Sequence, residues 1–188
     1  MRSLVLLTTL LAGCAEMIGP PPDDNPDSGL TGGDAGLRAK VTTTANADGS
    51  STTIVDATSA TAWTYADLAT FTETDETGPW QLRFQRFHIS TSTGTDVAPI
   101  TGMAFDEVTV PPAEGWIADA DTDGDGEINY AFDQGDGWYD YDVDAHVLTP
   151  KATVWVVRGS TTTIKLRINK YYDTAGTAAV FNVTWRTL

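Results

Sequence analysis

The sequence predicts an all-β protein: one mainly antiparallel domain of hairpin and meander strands with little helix, carried behind a signal peptide and a disordered tether. Three observations predict it. Beyond residue 40 the apolar runs are too short for independent helices, and they are rich in Val, Ile, Thr, Trp, Tyr and Phe. Turn signals separate them, among them Asp48-Gly49, Pro150-Lys151 and Gly159-Ser160. No stretch of the domain sustains a 3.6-residue apolar period.

The elements follow in chain order. Arg2, the apolar run Leu4 to Leu11, and the small residues Ala12 and Gly13 describe a secretory signal peptide over 1–13, too short to span a bilayer. Leu11-Ala12-Gly13-Cys14 resembles the bacterial lipobox, whose cysteine becomes the lipidated first residue. Cys14 is the only cysteine of the chain, so no intrachain disulfide can form. Residues 14–40 read as the lipidated cysteine and a tether, because Pro20-Pro21-Pro22, Gly32-Gly33 and several aspartates leave little apolar surface to offset the entropy of ordering. The chain is therefore expected to be exported and lipid-anchored at the outer membrane or cell surface, touching the membrane through the anchor only.

Residues 41–188 form the domain, long enough for a real core. Lys40 to Ala57 reads as a hairpin turning at Asn46-Ala47-Asp48-Gly49. Trp63-Thr64-Tyr65 alternates, and Thr70 to Gly78 is a polar connection. Trp80 to Thr91 reads as one strand. On that reading Trp80, Leu82, Phe84, Arg86 and His88 share a face. Ser90 to Gly102 is a loop, Ala104 to Val110 a short strand ended by Pro111-Pro112. Gly135 to Tyr172 reads as a three-run meander at the sheet centre. In it one face is buried and the other, with Lys165, Arg167 and Asn169, meets water. Val180 to Trp185 is the terminal strand, with Phe181, Val183 and Trp185 on one face.

The region from Asp119 to Asp144 is dense in acid and holds no Lys or Arg. Inside it, Asp121-Thr122-Asp123-Gly124-Asp125-Gly126-Glu127-Ile128-Asn129 follows the D-x-D-x-D-G-x-I pattern of a calcium loop. Asp121, Asp123 and Asp125 would supply carboxylates, Glu127 its carbonyl and Asn129 a water-mediated contact, while Ile128 plugs into the core. The pattern then departs: Phe132 stands where a bidentate acid is expected, with Asp133 one residue late. A solvated Asp-Gly turn is the other reading.

The runs "GDGWYDYD", "HVLTP", "VWVVR" and "IKLRINKYYD", with Trp80 to Arg86 upstream and Phe181 to Trp185 downstream, resemble the HmuY-like family of bacterial surface lipoproteins. The resemblance covers about residues 60 to 188. It implies an all-β domain that captures haem and passes it to an outer-membrane receptor. It also makes His146, His88 and Met103 the candidate iron ligands, His146 first because it lies within a resembling run. Each has a plain reading too: a turn cap for His146, a hydrogen-bonded sheet histidine for His88, a core filler for Met103. Arg83 and Arg86, the only cations between Lys40 and Lys151, can pair with carboxylates, haem propionates among them, or form ordinary sheet salt bridges.

Composition narrows the function classes. The chain carries 26 acidic and 11 basic residues for a net charge of −15, or −16 without the signal peptide. That argues against nucleic acid as a partner and against charge-driven binding to an anionic bilayer. Two histidines, no G-x-S-x-G and no H-E-x-x-H argue against an enzyme. Carboxylates for glycoside hydrolysis are plentiful but cluster in a turn-like segment. The expected function is thus haem capture. The alternative is a β module on the cell surface that binds another ligand or a protein, with or without calcium.

Overall fold

The computed structural model describes residues 39–188. The signal peptide, Cys14 and the tether through residue 38 lie outside the described residues.

Twelve strands form three antiparallel sheets. β1 (Val41–Ala45) and β2 (Ser51–Asp56) are the expected hairpin, and Gly49 takes the positive φ of 81° that its turn needs. β10 (Val154–Arg158), β11 (Thr163–Tyr172) and β12 (Ala178–Thr187) join them, with β7 (Asp96–Ile100) at the edge, in the order β1-β2-β12-β11-β10-β7. A smaller sheet runs β4-β3-β5-β6, built from β3 (Thr64–Asp67), β4 (Thr72–Thr74), β5 (Leu82–Gln85) and β6 (His88–Thr91). β8 (Tyr139–Asp142) and β9 (Val147–Pro150) make a separate hairpin.

The inner faces of the two larger sheets share one core. Phe181, Val183 and Trp185 alternate inward from β12, as do Leu82 and Phe84 from β5. Aromatic pairs bridge the layers, Phe84 to Phe181 at 5.3 Å and Phe71 to Trp185 at 5.5 Å between ring centres. The 3-10 helix Ala131–Asp133 closes one end, because Phe132 is fully buried and its ring lies 4.7 Å from that of Trp155.

Several expectations are corrected. Trp80 to Thr91 is not one strand but the hairpin β5–β6. Arg86 turns it with φ of 52° while its N–H donates to Ala57 O at 2.8 Å. The supposed loop Ser90 to Gly102 holds β7, whose Pro99 is tolerated because β7 is an edge strand. The polar connection Thr70 to Gly78 contributes the short edge strand β4. The strand expected over Ala104 to Val110 is instead the 3-10 helix Phe105–Glu107. The meander splits: β10 and β11 enter the large sheet, whereas β8–β9 stands apart with Tyr141 and Val143 exposed.

The water-facing side assigned to that meander is also wrong in part. Val154, Val156, Phe105 and Val108 form a second, smaller cluster on the outer face of the large sheet, so β10 is buried on both sides. Lys165 is buried there at 2% exposure. Its Nζ donates to Phe105 O at 2.6 Å and Val108 O at 2.8 Å and stands 4.4 Å from the centre of the Phe105 ring. It is therefore spent on pinning residues 105–108.

Candidate ligand-binding site

Splitting Trp80 to Thr91 into a hairpin moves His88. The β5–β6 register opposes Gln85 to His88, Phe84 to Ile89 and Arg83 to Ser90. Side chains alternate across a strand, so His88 leaves the core face of Leu82, Phe84 and Ile89 and joins the face of Arg83 and Gln85. Its side chain is 36% exposed.

Aromatic groups surround it. The imidazole centre lies 4.1 Å from the Phe87 ring and 5.0 Å from the Tyr130 ring, and Tyr139 stands 6.2 Å from Phe87. Trp63 continues the wall, 5.9 Å from Tyr130. Nδ1 of His88 is 3.4 Å from Asp133 Oδ2, a long contact, and Nε2 has no hydrogen-bond partner among the described residues. With the carboxylate ionised, Nδ1 carries the proton and donates. A carboxylate on one ring nitrogen and an open second nitrogen is the arrangement that orients a metal-ligating histidine.

Asp133 is itself strained electrostatically. Its Oδ1 is buried without a hydrogen-bond partner, and the nearby indole N–H of Trp138 donates to Phe87 O at 3.2 Å. Burial pushes the Asp133 carboxyl above the usual carboxylate range, and the His88 contact only partly opposes this. Burial, with the Asp133 charge behind it, also raises the Tyr139 phenol. The sequence reading placed Asp133 one residue past the last position of the calcium pattern and missed its partner. Nothing local could have revealed it, because the two residues are 45 positions apart.

The other ligand candidates lie elsewhere. His146 sits at the exposed turn of β8–β9 with φ of 55°, and its Nδ1 is 2.8 Å from Tyr141 Oη. Met103, 43% exposed, precedes the 3-10 helix whose Phe105 covers the outer face of the large sheet. None of His88, His146 and Met103 lines either of two cavities found among the described residues. The larger groove, about 580 Å³ between Lys40, Ile54, Lys170 and Asn182, contains no His or Met. A cavity of about 360 Å³ lies beside Arg83.

The acidic loop folds as a tight turn. Asp121 accepts from the N–H groups of Gly124 at 2.7 Å and Gly126 at 3.0 Å, and Asp125 accepts from Glu127 N–H at 2.8 Å. Carboxylate oxygens of Asp121, Asp123 and Asp125 lie within 4.8 Å of one another, all on exposed residues. Asn129 Oδ1 accepts from Thr122 N–H and Oγ1 at 2.8 and 2.7 Å, closing the loop. Glu127 is exposed, and Ile128 is 52% exposed instead of plugging the core. Phe132 fills the twelfth position and is part of the core, so the bidentate acid of a full calcium loop is missing.

No protein-family model matches this chain, and no curated protein matches it in sequence. Solved structures are similar in fold. A candidate lipoprotein from Bacteroides fragilis matches with TM-score 0.58 and 21% identity over 76% of this chain and 91% of its own. A candidate HmuY-like haem-binding protein from Bacteroides vulgatus matches with TM-score 0.60 and 18% identity over 78% and 96%. The apo HmuY analog of Tannerella forsythia matches with TM-score 0.59 and 15% identity over 80% and 98%. The architecture of this chain, two antiparallel sheets around a shared core with a separate hairpin at one side, is the HmuY-like fold.

Proposed function

We propose that the domain binds haem through His88, as part of an exported, lipid-anchored protein that hands haem to an outer-membrane receptor. The single observation that carries the reading is the state of His88: a partly exposed imidazole, steadied by Asp133 at Nδ1, open at Nε2 and walled by Phe87 and Tyr130. Haem, when bound, would supply an iron that the His88 imidazole can ligate and an apolar porphyrin that aromatic side chains suit. Asp133 would hold the ring orientation, and Phe87 and Tyr130 would flank the imidazole with aromatic faces. The residues fit one axial ligand. The other candidates, His146 and Met103, have no hydrogen bond or ring contact with it among the described residues. The likeness in fold to the HmuY-like haem-binding candidate of Bacteroides vulgatus supports the same reading. The lipobox resemblance at Cys14 supports the anchor.

The test is a titration of the purified protein with ferric and ferrous haem, followed in the Soret band. A saturable change in the wild type, lost or shifted in His88→Ala and nearly unchanged in Met103→Leu, is expected. If the wild type gave no saturable change with either oxidation state, the domain would be a module for another ligand.

A second reading concerns the acidic loop alone. The convergence of Asp121, Asp123 and Asp125 favours a weak calcium site that steadies residues 119–131, with fewer ligands than a complete loop. It adds stability to the domain and is independent of haem.

A further inference from the structure

We propose that Arg83 is the carboxylate anchor of this domain and that, on the haem reading above, the carboxylate it takes is a porphyrin propionate. The proposal rests on that reading for the ligand, and on separate observations for the anchor.

Arg83 is held still without an acid. Its Nε donates to Ser90 Oγ at 3.1 Å, and its guanidinium carbon lies 4.4 Å from the centre of the Trp63 ring and 5.2 Å from that of Trp80. Two indoles and one hydroxyl thus fix the plane of the fork while leaving its terminal Nη groups without a hydrogen-bond partner among the described residues. Lys151, Arg158 and Arg186 each stand within 4 Å of an aspartate, whereas Arg83 has no acid within that distance among the described residues.

The space in front of it suits an oxyanion. The cavity of about 360 Å³ beside Arg83 is lined by hydroxyl residues, Thr93 and Thr95 among them, with Ile128 at its side. Its one acid, Asp119, has both carboxylate oxygens engaged, Oδ2 by Thr91 N–H at 2.8 Å and Oδ1 by Ala131 N–H at 2.7 Å. A planar fork with free N–H groups pairs with a carboxylate in two parallel hydrogen bonds. Such a cavity takes the acid arm of a ligand and its immediate surroundings.

The hairpin register sets Arg83 and His88 on one face. Arg83 opposes Ser90, and His88 lies two residues from Ser90 on the same strand, so the two are diagonal neighbours about 7–8 Å apart. Both side chains therefore extend from the same face of the hairpin. Trp63 links the two, touching Arg83 on one side and Tyr130 of the His88 wall on the other. Arg86 cannot substitute, because it forms the turn and its Nη1 donates to Thr58 O.

Haem and its dimethyl ester, in which both propionates are uncharged, separate the anchor from the iron ligand. Wild-type protein is expected to bind the free acid at least about tenfold more tightly than the ester, the scale of a charge-assisted hydrogen bond. Arg83→Gln should erase most of that preference while the Soret maximum stays where it was, and Arg83→Lys should restore part of it. His88→Ala should weaken both forms and move the Soret band. The wild-type comparison needs no variant, so a folding defect in Arg83→Gln cannot hide the answer. Equal affinity of the wild type for both forms would overturn the Arg83 assignment and leave the haem reading intact. Absence of a saturable Soret change with either form would overturn both.

Discussion

Asp133→Asn should stabilise the fold and weaken the ligand site at once. In the wild type a carboxylate with about a quarter of its side chain exposed keeps one buried oxygen without a donor. An unsatisfied buried polar atom costs about 1–3 kcal/mol. The remaining exposure reduces that cost, and the long contact to His88 returns at most about 1 kcal/mol. Removing the charge should therefore gain about 1 kcal/mol at pH 7, or about 2–4 °C in Tm for a domain of this size. The pH dependence follows from the sign of the shift. Burial raises the folded Asp133 carboxyl above its unfolded value of 3.8, so the folded state holds the proton longer. The wild-type stability linked to this group is full below about pH 3.8 and is lost as pH rises through the raised folded value. Asp133→Asn has no such loss. The two proteins should melt together near pH 3 and diverge toward pH 7, as followed by circular dichroism. Haem affinity should move the other way, falling about tenfold, because a neutral amide orients and polarises the imidazole less well than a carboxylate. Equal melting temperatures across the whole pH range would refute the reasoning and mean that water satisfies Oδ1.

Four further outcomes are expected. Lys165→Met should cost about 2–4 kcal/mol, since the Phe105 and Val108 carbonyls lose their donor. It should also open Gly102 to Gly115 to limited proteolysis before the core unfolds, and an unaltered digestion pattern would show that Lys165 does not pin this segment. Calcium should raise Tm and chelator lower it, with the response absent in Asp123→Ala; a melting curve indifferent to calcium leaves only a solvated turn. Cys14→Ser should release the protein from membranes without changing its melting temperature, and retention in detergent-free membrane fractions would sink the anchor. His146→Ala should leave the Soret band nearly unchanged, because His146 sits on an exposed turn and no carboxylate orients its ring among the described residues; a large spectral change there would move the iron ligand from His88 to the β8–β9 tip.

Much of the fold was legible because alternation reports burial directly. Phe181, Val183 and Trp185 read as one face and are one face of the core, and Asp48-Gly49 announced its hairpin with a glycine that the backbone needs. What failed had a common cause in the tertiary structure. Val154 and Val156 gave no sign that residues 105–108 would cover them, and Lys165 reads as a surface residue until that cover is present. The small, polar run Ser90 to Gly102 read as a loop, yet it holds the edge strand β7, which can spare the N–H that Pro99 lacks. The hairpin β8–β9 shows the reverse error. Its tyrosines suggested a sheet centre, but the buried aromatic is Trp138, just before the strand begins.

The candidate site turned on a single residue that the sequence could not flag. Turns normally announce themselves through Gly, Asn, Asp or Pro, and the β5–β6 turn offers Arg86 and Phe87 instead. Arg86 adopts a left-handed backbone that costs a non-glycine residue about 1 kcal/mol or more, offset by its N–H bond to Ala57 and its guanidinium bond to Thr58. Because side chains alternate, a turn at that point decides which face the following residue takes. Read as a continuous strand, His88 belongs with Leu82 and Phe84, where a histidine is most simply a satisfied core group. Read through the turn, it stands beside Arg83, away from the core, with one nitrogen tied to a carboxylate from a segment 45 positions away. The site therefore depends on an unfavourable backbone conformation held by neighbours. Arg86→Ala, which removes the guanidinium bond to the Thr58 carbonyl, should loosen the turn and disturb the site, read as a weaker and shifted Soret response of the haem titration.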